Sequence, residues 1–321
     1  MKSLSEIYVA PSIAAAQTKA ERTIEIFNGA YRRDVAAWTM DSADHEFLTK
    51  ITHRRMSGRA LLSNRYVHRA AQFGLIRAMA DAYLQDPDQK WVWFTLTWDT
   101  AVSWEREPNV DLVSLKAIAY GHLRRTGLEG FGVIETDIWK NLVGEPGRRL
   151  VSQIHFLGTR AMGNTAKVSD MEADLRDRRA LINSLGARNV VIRNVGPTVG
   201  DLTWLGQYML KRPAFAKNPI PRIGEDGYRL IDVAHARGSV ARLVEVFSHC
   251  EVGDVIFSIG SGGAIAKKVR AAVKQETSLR NGASPAPTAD EVRSNWNRIR
   301  QTCGSRQFRP CRVITRASQR T

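Results

Sequence analysis

The chain has 321 residues, enough for one sizeable core with extensions or for two domains. Its 47 Lys and Arg residues outnumber its 32 Asp and Glu residues, and the formal net charge of +15 predicts an anionic partner such as nucleic acid. No run of about 18 apolar residues occurs and no apolar signal core follows Met1, so we expect a cytoplasmic protein with no membrane partner.

Residues 1–87 are predicted to form an N-terminal helical region. Pro11–Asn28 and Asn64–Leu84 have apolar residues at helical spacing, separated by good helix formers such as Ala, Glu and Arg. Two roles fit this region, packing on a sheet and helping to recognise double-stranded DNA. The sequence does not choose between them.

Residues 88–215 alternate between strand-like and helix-like segments. The strand-like runs are short, apolar and bounded by turn residues, whereas the helical segments have helix-forming composition. In chain order the segments are a strand at Trp91–Trp98, a helix at Asp111–Thr126, strands at Phe131–Glu135 and Leu150–Leu157, a helix at Ser169–Leu185, a strand at Asn189–Val195 and a helix around Tyr208. A split-βαβ, ferredoxin-like domain requires this β-α-β-β-α-β-α order, so we expect an α+β fold with an antiparallel sheet.

A candidate metal site lies on the two middle strands. Side chains alternate along a strand, so Gln153 and His155 point to the same face. If the two strands pair as a hairpin, the Glu135 carboxylate lies beside that face, and Asp137 is a reserve ligand. One imidazole and two oxygen donors favour Mg²⁺ or Mn²⁺ over Zn²⁺. A lone His on an apolar strand is more often a core residue, so this pattern alone is a weak signal.

The helix around Tyr208 carries a candidate nucleophile. Thr198 with Asp201 three residues later is a helix-start signal, and Arg212-Pro213 closes the segment. Tyr208 and Lys211 would then share one helix face, at positions i and i+3. A phenol is a poor nucleophile at neutral pH, and a neighbouring ammonium assists it. The alternative is an ordinary apolar helix face with a Lys beside it.

Residues 216–280 are predicted to form an α/β extension, with a helix at Ile231–Cys250 and a strand-like run at Gly253–Ile259. The glycine cluster at Gly260–Ala264 is not followed by Lys-Ser or Lys-Thr, so it is not a phosphate-binding P-loop. We therefore expect no helicase or ATPase domain.

Residues 281–321 form a basic region that we expect to be partly disordered. From Lys267 to Thr321 there are 13 Lys and Arg residues and only 3 Asp and Glu residues. A helix is predicted to start at Thr288, because Glu291 follows three residues later. A merely solvated charged surface is the alternative to nucleic-acid binding. The residues expected to contact DNA phosphates are Lys267, Lys268, Arg270, Arg293, Arg298 and Arg300.

Three motifs, in this order, resemble those of the HUH endonucleases, in particular the rolling-circle replication initiators (Rep proteins) of small plasmids and single-stranded DNA phages. Trp93–Thr97 matches the apolar-Leu-Thr strand, Glu135 with Gln153-Ile154-His155 resembles the metal motif, and Tyr208 to Lys211 matches the Tyr-x-x-Lys helix. The resemblance covers about residues 88–215. The chain departs from the family at Gln153, where the first His of the metal motif usually stands, although initiators of circular single-stranded DNA viruses also carry Gln in place of one His.

The resemblance implies an enzyme that nicks DNA at an origin. A divalent cation on Glu135, Gln153 and His155 would polarise the scissile phosphate. Tyr208 would attack phosphorus, which leaves a 5′-phosphotyrosyl link and a free 3′-hydroxyl. Lys211 would lower the pKa of Tyr208 or hold the phosphate.

The same resemblance gives Thr95 and Thr97 a supporting role. The implied partners are single-stranded and origin DNA, together with a host helicase and polymerase. Three alternatives stay open: a nuclease-dead initiator or regulator that binds DNA without cutting it, an HUH transposase or relaxase, and an RNA-binding protein on a similar sheet. Relaxases usually place the tyrosine before the metal motif, whereas Tyr208 follows it, and the glycine-aromatic signature of RNA-binding sheets is absent.

Overall fold

A computed structural model of the protein describes residues 4–38, 40–142, 145–160, 167–178, 181, 189–221, 228–278, 283–302 and 309–315. The helices in these ranges are α1 (Leu4–Ala36), α2 (Ser42–His53), α3 (Arg65–Gln85), α4 (Leu112–Arg125), α5 (Val168–Arg176), α6 (Val199–Met209), α7 (Ser239–Ser248), α8 (Val252–Val255), α9 (Gly263–Thr277) and α10 (Ala289–Thr302). The strands are β1 (Met56–Ser57), β2 (Trp91–Leu96), β3 (Val102–Trp104), β4 (Asn109–Asp111), β5 (Leu128–Leu142), β6 (Glu145–Arg160), β7 (Val190–Asn194), β8 (Ala216–Pro221), β9 (Tyr228–Val233), β10 (Ile256–Ile259), β11 (Ser284–Pro285) and β12 (Arg312–Ile314). The protein is therefore of mixed α and β structure, as the sequence predicts. Within the described ranges, none of the helices combines the length and the apolar character needed to cross a membrane.

Eight of the described strands form one sheet, whose main path runs in the order β7-β2-β6-β5-β8-β9. The long strands β5 and β6 pair as a hairpin, from Leu128 opposite Arg160 to Leu142 opposite Glu145. β2 lies between β6 and β7, and these strand pairs are all antiparallel. The predicted hairpin and the predicted antiparallel pairing are confirmed for this part of the sheet. The whole sheet is mixed, because β8 runs parallel to β5.

The two faces of this sheet carry different side chains, because side chains alternate along each strand. On one face, the ring centroid of Phe156 lies 5.9 Å from that of Phe94 and 6.2 Å from that of Phe257. Gly132 leaves room for this aromatic cluster, since a Cβ there would lie 2.2 Å from the Phe257 ring. The opposite face carries His155, against which α6 packs.

The N-terminal helices pack against α6, the helix that carries Tyr208. α3 lies against α6 and α9, and α1 lies against α3, α6 and α7. The approach of α3 is close at Gly206, where an added Cβ would lie 3.1 Å from the Cα of Ile76. Gln72 of α3 also donates a hydrogen bond to the Gln207 carbonyl at 2.6 Å. These contacts tie the predicted helical region to the helix of the candidate site.

The basic C-terminal region is docked on the rest of the protein over its described part. α10 begins as predicted at Thr288, whose backbone N–H donates to the Glu291 carboxylate at 2.6 Å. Trp296 is buried, and its indole N–H donates to Ser248 Oγ at 2.8 Å. β12 pairs with β4. The helix predicted to start at Thr288 is therefore present as α10, and residues 279–282, 303–308 and 316–321 lie outside the described residues.

Two predicted elements between β8 and α9 are wrong in detail. Instead of a helix over Ile231–Cys250, the chain forms β9, which pairs with β8, and then the shorter α7. Gly238 separates them with a φ of 84°, which a continuous helix does not allow. The run at Gly253–Ile259 starts in the helical turn α8 and becomes a strand only at Ile256.

The predicted helix at Ser169–Leu185 is described as α5 up to Arg176, and residues 182–188 lie outside the described residues. The other predicted elements of residues 88–215 are present, but β5 (Leu128–Leu142) and β6 (Glu145–Arg160) are longer than the predicted strands. Asp111 caps α4 by accepting a hydrogen bond from the backbone N–H of Ser114 at 3.0 Å.

Candidate active site on one face of the sheet

The register of β2, β5 and β6 places four polar side chains on one face of the sheet. Glu135 lies directly opposite Gln153, and His155 lies opposite Thr95 on the other edge of β6. Opposite residues of an antiparallel pair point to the same face. The hairpin therefore brings Glu135, Gln153 and His155 together on one face, as the sequence predicts.

Glu135, His155 and Lys211 form a buried ion cluster, called here the site cluster. Lys211 Nζ lies 2.7 Å from Glu135 Oε1 and 3.1 Å from Glu135 Oε2. His155 Nε2 lies 2.9 Å from Glu135 Oε2, within hydrogen-bonding distance but without the alignment of a hydrogen bond. The side chains of Glu135 and His155 are only 3% and 2% exposed, so water screens these charges little.

Burial and charge set the protonation states of the site cluster. Burial raises the pKa of Glu135, but the Lys211 ammonium and the His155 ring outweigh this effect and lower the pKa to about 2. Burial lowers the pKa of His155, so its ring is neutral near pH 7 and able to bind a cation. Burial also lowers the pKa of Lys211, but the Glu135 and Asp137 carboxylates outweigh it and raise that pKa above its usual range. Glu135 and Lys211 are therefore both charged at neutral pH.

Thr95 orients the His155 ring from the neighbouring strand. Its hydroxyl lies 3.1 Å from His155 Nδ1 and accepts a hydrogen bond from the Trp93 indole N–H at 3.2 Å. Because a hydroxyl can donate to Nδ1 or accept from it, Thr95 fits either neutral tautomer of His155. Thr97 follows the end of β2, and its buried hydroxyl makes no hydrogen bond with any described residue. The hydrogen bonds thus connect Thr95 to the site cluster and leave Thr97 as a residue of the adjoining core.

Tyr208 lies beside the site cluster within a group of aromatic rings. Its ring centroid lies 5.4 Å from that of His155 and 5.8 Å from that of Trp93, both edge-on, and 5.2 Å from the nearly parallel ring of Trp204. Lys211 Nζ lies 3.6 Å from the Tyr208 ring centroid. Burial raises the pKa of Tyr208, and the Lys211 ammonium lowers it in part. The phenol is therefore protonated at neutral pH, and Lys211 is placed to stabilise its phenolate.

Local sequence signals place the Tyr208 side chain. α6 starts with the predicted capping box, in which Thr198 and Asp201 each accept a hydrogen bond from the other's backbone N–H. The helix ends at Met209, which corrects the expectation that Tyr208 and Lys211 share one helix face. A proline at position 213 disfavours helical backbone at the residue before it. The chain leaves the helix there, and Lys211 contacts the sheet from the segment that follows.

The donors around Glu135 fit a hard divalent cation. Asp137 is buried on the same face, and burial, together with the charge of Glu135, raises its pKa to about 7. Asp137 Oδ1 and His155 Nε2 are buried without a hydrogen-bond partner among the described residues. Gln153 is half-buried and adds an amide oxygen. Oxygen donors with one imidazole suit Mg²⁺ or Mn²⁺, provided that the Lys211 ammonium leaves the Glu135 carboxylate.

The part of the chain that the structure describes contains no group of three His, Cys, Asp or Glu side chains arranged to hold a metal ion. A cation at this place therefore depends on the amide of Gln153 and on movement of Lys211. This requirement distinguishes the site from one whose ligands are already arranged around an ion.

A cleft of about 410 Å³ opens beside Tyr208 toward the β7 edge of the sheet, and we call it the Tyr208 cleft. Sequence patterns do not point to Arg193 or Asn194 at its wall, although strand alternation puts Arg193 on the same face as Trp93, which lies opposite it. The residues that line this cleft include Trp93, Arg193, Asn194, Asp201, Trp204 and Tyr208.

Three of the basic residues predicted to contact DNA lie on α9. Lys267 is exposed, and Lys268 forms an exposed ion pair with Asp81 at 2.7 Å. Arg270 is exposed at a second cleft, of about 440 Å³, beside α4 and β10. None of these three is among the described residues that line the Tyr208 cleft.

The other three lie on α10, and two of them are engaged in ion pairs with buried acids. Arg298 lies 2.7 Å from Asp44, and Arg300 pairs with Glu245. Arg293 points outward and is exposed. The described geometry places these residues away from the lining of the Tyr208 cleft.

No protein-family model, no curated protein and no solved structure matches this chain. The resemblance to the HUH endonucleases therefore rests on the three motifs and on how the fold arranges them.

Proposed function

We propose that this protein is a replication initiator of the HUH endonuclease type, which nicks single-stranded DNA with Tyr208. One observation carries the proposal: Tyr208, Lys211, Glu135 and His155 meet in one place, although they come from three separate segments of the chain. As sequence patterns, the metal motif and the tyrosine motif imply no contact with each other. Their meeting in space supports a shared chemical role.

The arrangement of the sheet supports the same proposal. Apart from the short strands β3 and β4, the elements from β2 to α6 follow the order strand, helix, strand, strand, helix, strand, helix. The four strands lie in the order β7-β2-β6-β5. A split-βαβ domain has this succession of elements, and we propose that residues 88–215 form a ferredoxin-like catalytic domain.

Each residue of the site has a distinct part in the proposed reaction. Tyr208 Oη attacks the scissile phosphorus and the 3′-oxygen of the preceding nucleotide leaves, which forms a 5′-phosphotyrosyl link and a free 3′-hydroxyl. Lys211 acts through its positive charge, because its raised pKa prevents it from serving as a base near neutral pH. It stabilises the phenolate that forms when the Tyr208 proton passes to solvent.

Glu135, Gln153 and His155, with Asp137 beside them, are the residues that would hold Mg²⁺ or Mn²⁺. The cation would polarise a phosphate oxygen. Because it would take the Glu135 carboxylate, Lys211 would leave Glu135 and remain beside the Tyr208 ring, while Thr95 holds the His155 ring on the sheet face. The site therefore combines a charged clamp for phosphate with a nucleophile beside it.

The proposed partners follow from the chemistry of the product. A free 3′-hydroxyl is a primer for a polymerase, and the glycine cluster after β10 lacks the Lys-Ser or Lys-Thr of a P-loop, so strand separation is assigned to a host helicase. The substrate is single-stranded DNA at an origin in the cytoplasm.

A second candidate is an initiator that binds origin DNA without cutting it. The contact of Lys211 with both oxygens of Glu135 favours this candidate, because the ammonium occupies the carboxylate that a cation needs. Gln153 in place of a second imidazole points the same way.

The test is covalent capture. The purified protein is incubated with a labelled pool of random-sequence single-stranded DNA and Mn²⁺, and the products are separated on a denaturing gel beside the Tyr208→Phe variant. We expect an adduct in the wild type only. An adduct in Tyr208→Phe would move the nucleophile elsewhere, and DNA binding without an adduct in the wild type would select the second candidate.

A further inference from the structure

Two indole rings form walls of the Tyr208 cleft. Trp93 belongs to β2 and Trp204 to α6, so one wall comes from the sheet and the other from the helix above it. The ring of His155 backs Trp93 at a centroid distance of 5.0 Å, and Tyr208 backs Trp204 at 5.2 Å. Trp204 nevertheless remains 44% exposed. Trp204 packs against Tyr208, has Lys19 Nζ 5.6 Å from its ring centroid, and lines the cleft.

Arg193 gives the same cleft a cation that has no ion-pair partner among the described residues. It lies opposite Trp93 in the β2–β7 pair and is exposed. Within the described ranges it forms no ion pair, in contrast to Arg298 and Arg300 on α10. The planar guanidinium group binds phosphate through two parallel hydrogen bonds.

Asp201 is a polar side chain that lines this cleft at the start of α6. Asp201 Oδ2 already accepts hydrogen bonds from the backbone N–H and the hydroxyl of Thr198, at 3.1 Å and 2.6 Å. Its negative charge disfavours a phosphate at the start of α6. A phosphate is therefore directed to Arg193, and the base to the aromatic walls.

The volume of about 410 Å³ lies within the range of sites for small ligands, roughly 300–1,000 Å³. Sites for single strands combine aromatic rings that contact bases with cations along the backbone. We propose that the Tyr208 cleft binds one unpaired nucleotide of the DNA strand, with its base against Trp93 and Trp204 and its phosphate on Arg193. A base within a duplex is excluded, because its faces are stacked and its edge is paired.

This nucleotide sets the register of the strand at the site. Tyr208 lines the cleft, so a nucleotide held there brings its neighbouring phosphate beside the site cluster. The inference rests on the proposed function in one respect, namely that this neighbouring phosphate is the one that Tyr208 attacks. Occupancy of the cleft itself requires only binding of a single strand.

The experiment uses the full chain carrying Tyr208→Phe, so that binding is measured without cleavage. Single-stranded oligonucleotides with one abasic site, moved stepwise along the strand, are titrated by fluorescence anisotropy. We expect one abasic position to weaken binding about tenfold or more. In Trp204→Ala, the loss of affinity caused by that abasic position should fall below about twofold. In Trp204→Phe, most of this abasic effect should remain, because an aromatic ring is still present.

Arg193→Gln is an independent variant, which we expect to weaken all the oligonucleotides about equally and to lower the slope of log affinity against log salt by about one. Two matched controls lie away from the cleft. Trp104, 50% exposed on β3, is changed to Ala, and the exposed Arg229 on β9, at the opposite edge of the sheet, is changed to Gln. Both controls should keep the affinity and the abasic pattern of the parent protein.

The outcomes separate this inference from the proposed function. If no abasic position depends on Trp204, or if no single strand binds, the cleft does not hold a base and the inference is overturned. If one abasic position depends on Trp204 but the wild type forms no covalent adduct, the result supports nucleotide binding in the cleft and contradicts nicking. If the wild type forms an adduct but no abasic position depends on Trp204, the result supports nicking and overturns nucleotide binding in the cleft.

Discussion

Two buried ion clusters in this protein satisfy their charges in different ways. In the structural cluster, Glu245 pairs with both Arg242 and Arg300, and Arg242 also donates to the backbone carbonyl of Glu105 at 3.0 Å. In the site cluster, the Lys211 ammonium faces two neighbouring carboxylates, those of Glu135 and Asp137, and the charge of Lys217 also acts on Asp137. One oxygen of Asp137 and one nitrogen of His155 make no hydrogen bond among the described residues.

The two clusters differ in what lies next to them. Each borders a cavity of only about 20 Å³, the structural cluster where it joins α7 to α10 and the site cluster at Glu135 and Lys211. Tyr208, which lies beside the site cluster, also lines a cleft of about 410 Å³. A buried cluster whose charged groups are all paired stabilises the fold. An incompletely paired cluster beside a cleft is typical of a functional site.

The largest effect is expected for Tyr208→Phe. This change removes the nucleophile and should abolish the covalent adduct, while the free energy of unfolding falls by no more than about 1 kcal/mol, the worth of one hydroxyl hydrogen bond. Adduct formation is followed on denaturing gels and stability by urea titration. A large loss of stability would show that the site cluster serves the fold as the structural cluster does.

Glu245→Gln should give the opposite pattern. It leaves Arg242 and Arg300 buried without their carboxylate, and we expect unfolding in urea to require about 3–5 kcal/mol less. The exposed pair of Glu46 and Arg54 provides the control, since Glu46→Gln should cost under about 1 kcal/mol. Cleavage per folded molecule should be unchanged. Equal costs for the two variants would contradict the assignment of the structural cluster.

Asp137→Asn should stabilise the protein at high pH. Because the pKa of Asp137 is raised to about 7, the folded protein holds a proton that the unfolded chain releases between about pH 4 and pH 7. Asp137 therefore lowers stability as the pH rises through this window, and the asparagine variant does not. A shift of about three pKa units corresponds to about 4 kcal/mol, so we expect the stability advantage of the variant to grow by about that much between pH 4 and pH 8 without divalent ions. An advantage that is equal at both pH values would rule out this titration.

The smallest effects are expected for single basic residues outside the cleft. If Lys267 and Arg293 contact phosphate, changing either to Gln should weaken DNA binding a few-fold and lower the salt slope by about one. Arg298→Gln should instead reduce stability and leave the slope unchanged, because Arg298 is paired with Asp44. Salt titrations of binding distinguish the two cases. A reduced slope for Arg298→Gln would show that its ion pair opens to DNA.

The elements that could be predicted from sequence are those set by local rules. Strand alternation placed Gln153 and His155 on one face, and the capping box at Thr198 marked the start of α6. The failures involve contacts between distant segments. Lys211 leaves the helix to contact Glu135, 76 positions earlier in the chain. No sequence pattern shows such a pairing.

The same limit applies to the basic C-terminal region. Charge composition predicted DNA contacts there, but it could not show that Arg298 pairs with Asp44, which is 254 residues away. Arg193 illustrates the converse case, because its place beside Trp93 depends on the register between β2 and β7. The sequence thus shows that a charged side chain is present, but only the tertiary structure shows whether it is available to contact DNA.

Mapping the covalent adduct tests the nucleophile most directly. Wild-type protein that has reacted with single-stranded DNA and Mn²⁺ is treated with nuclease and trypsin, and the peptides are sequenced by mass spectrometry. The tryptic peptide from Asn194 to Lys211 contains Tyr208 as its only tyrosine. We predict that this peptide carries the nucleotide through a phosphotyrosyl bond. Nucleotide on any other peptide, or nicked DNA with no modified peptide, would contradict the assignment of Tyr208 as the nucleophile.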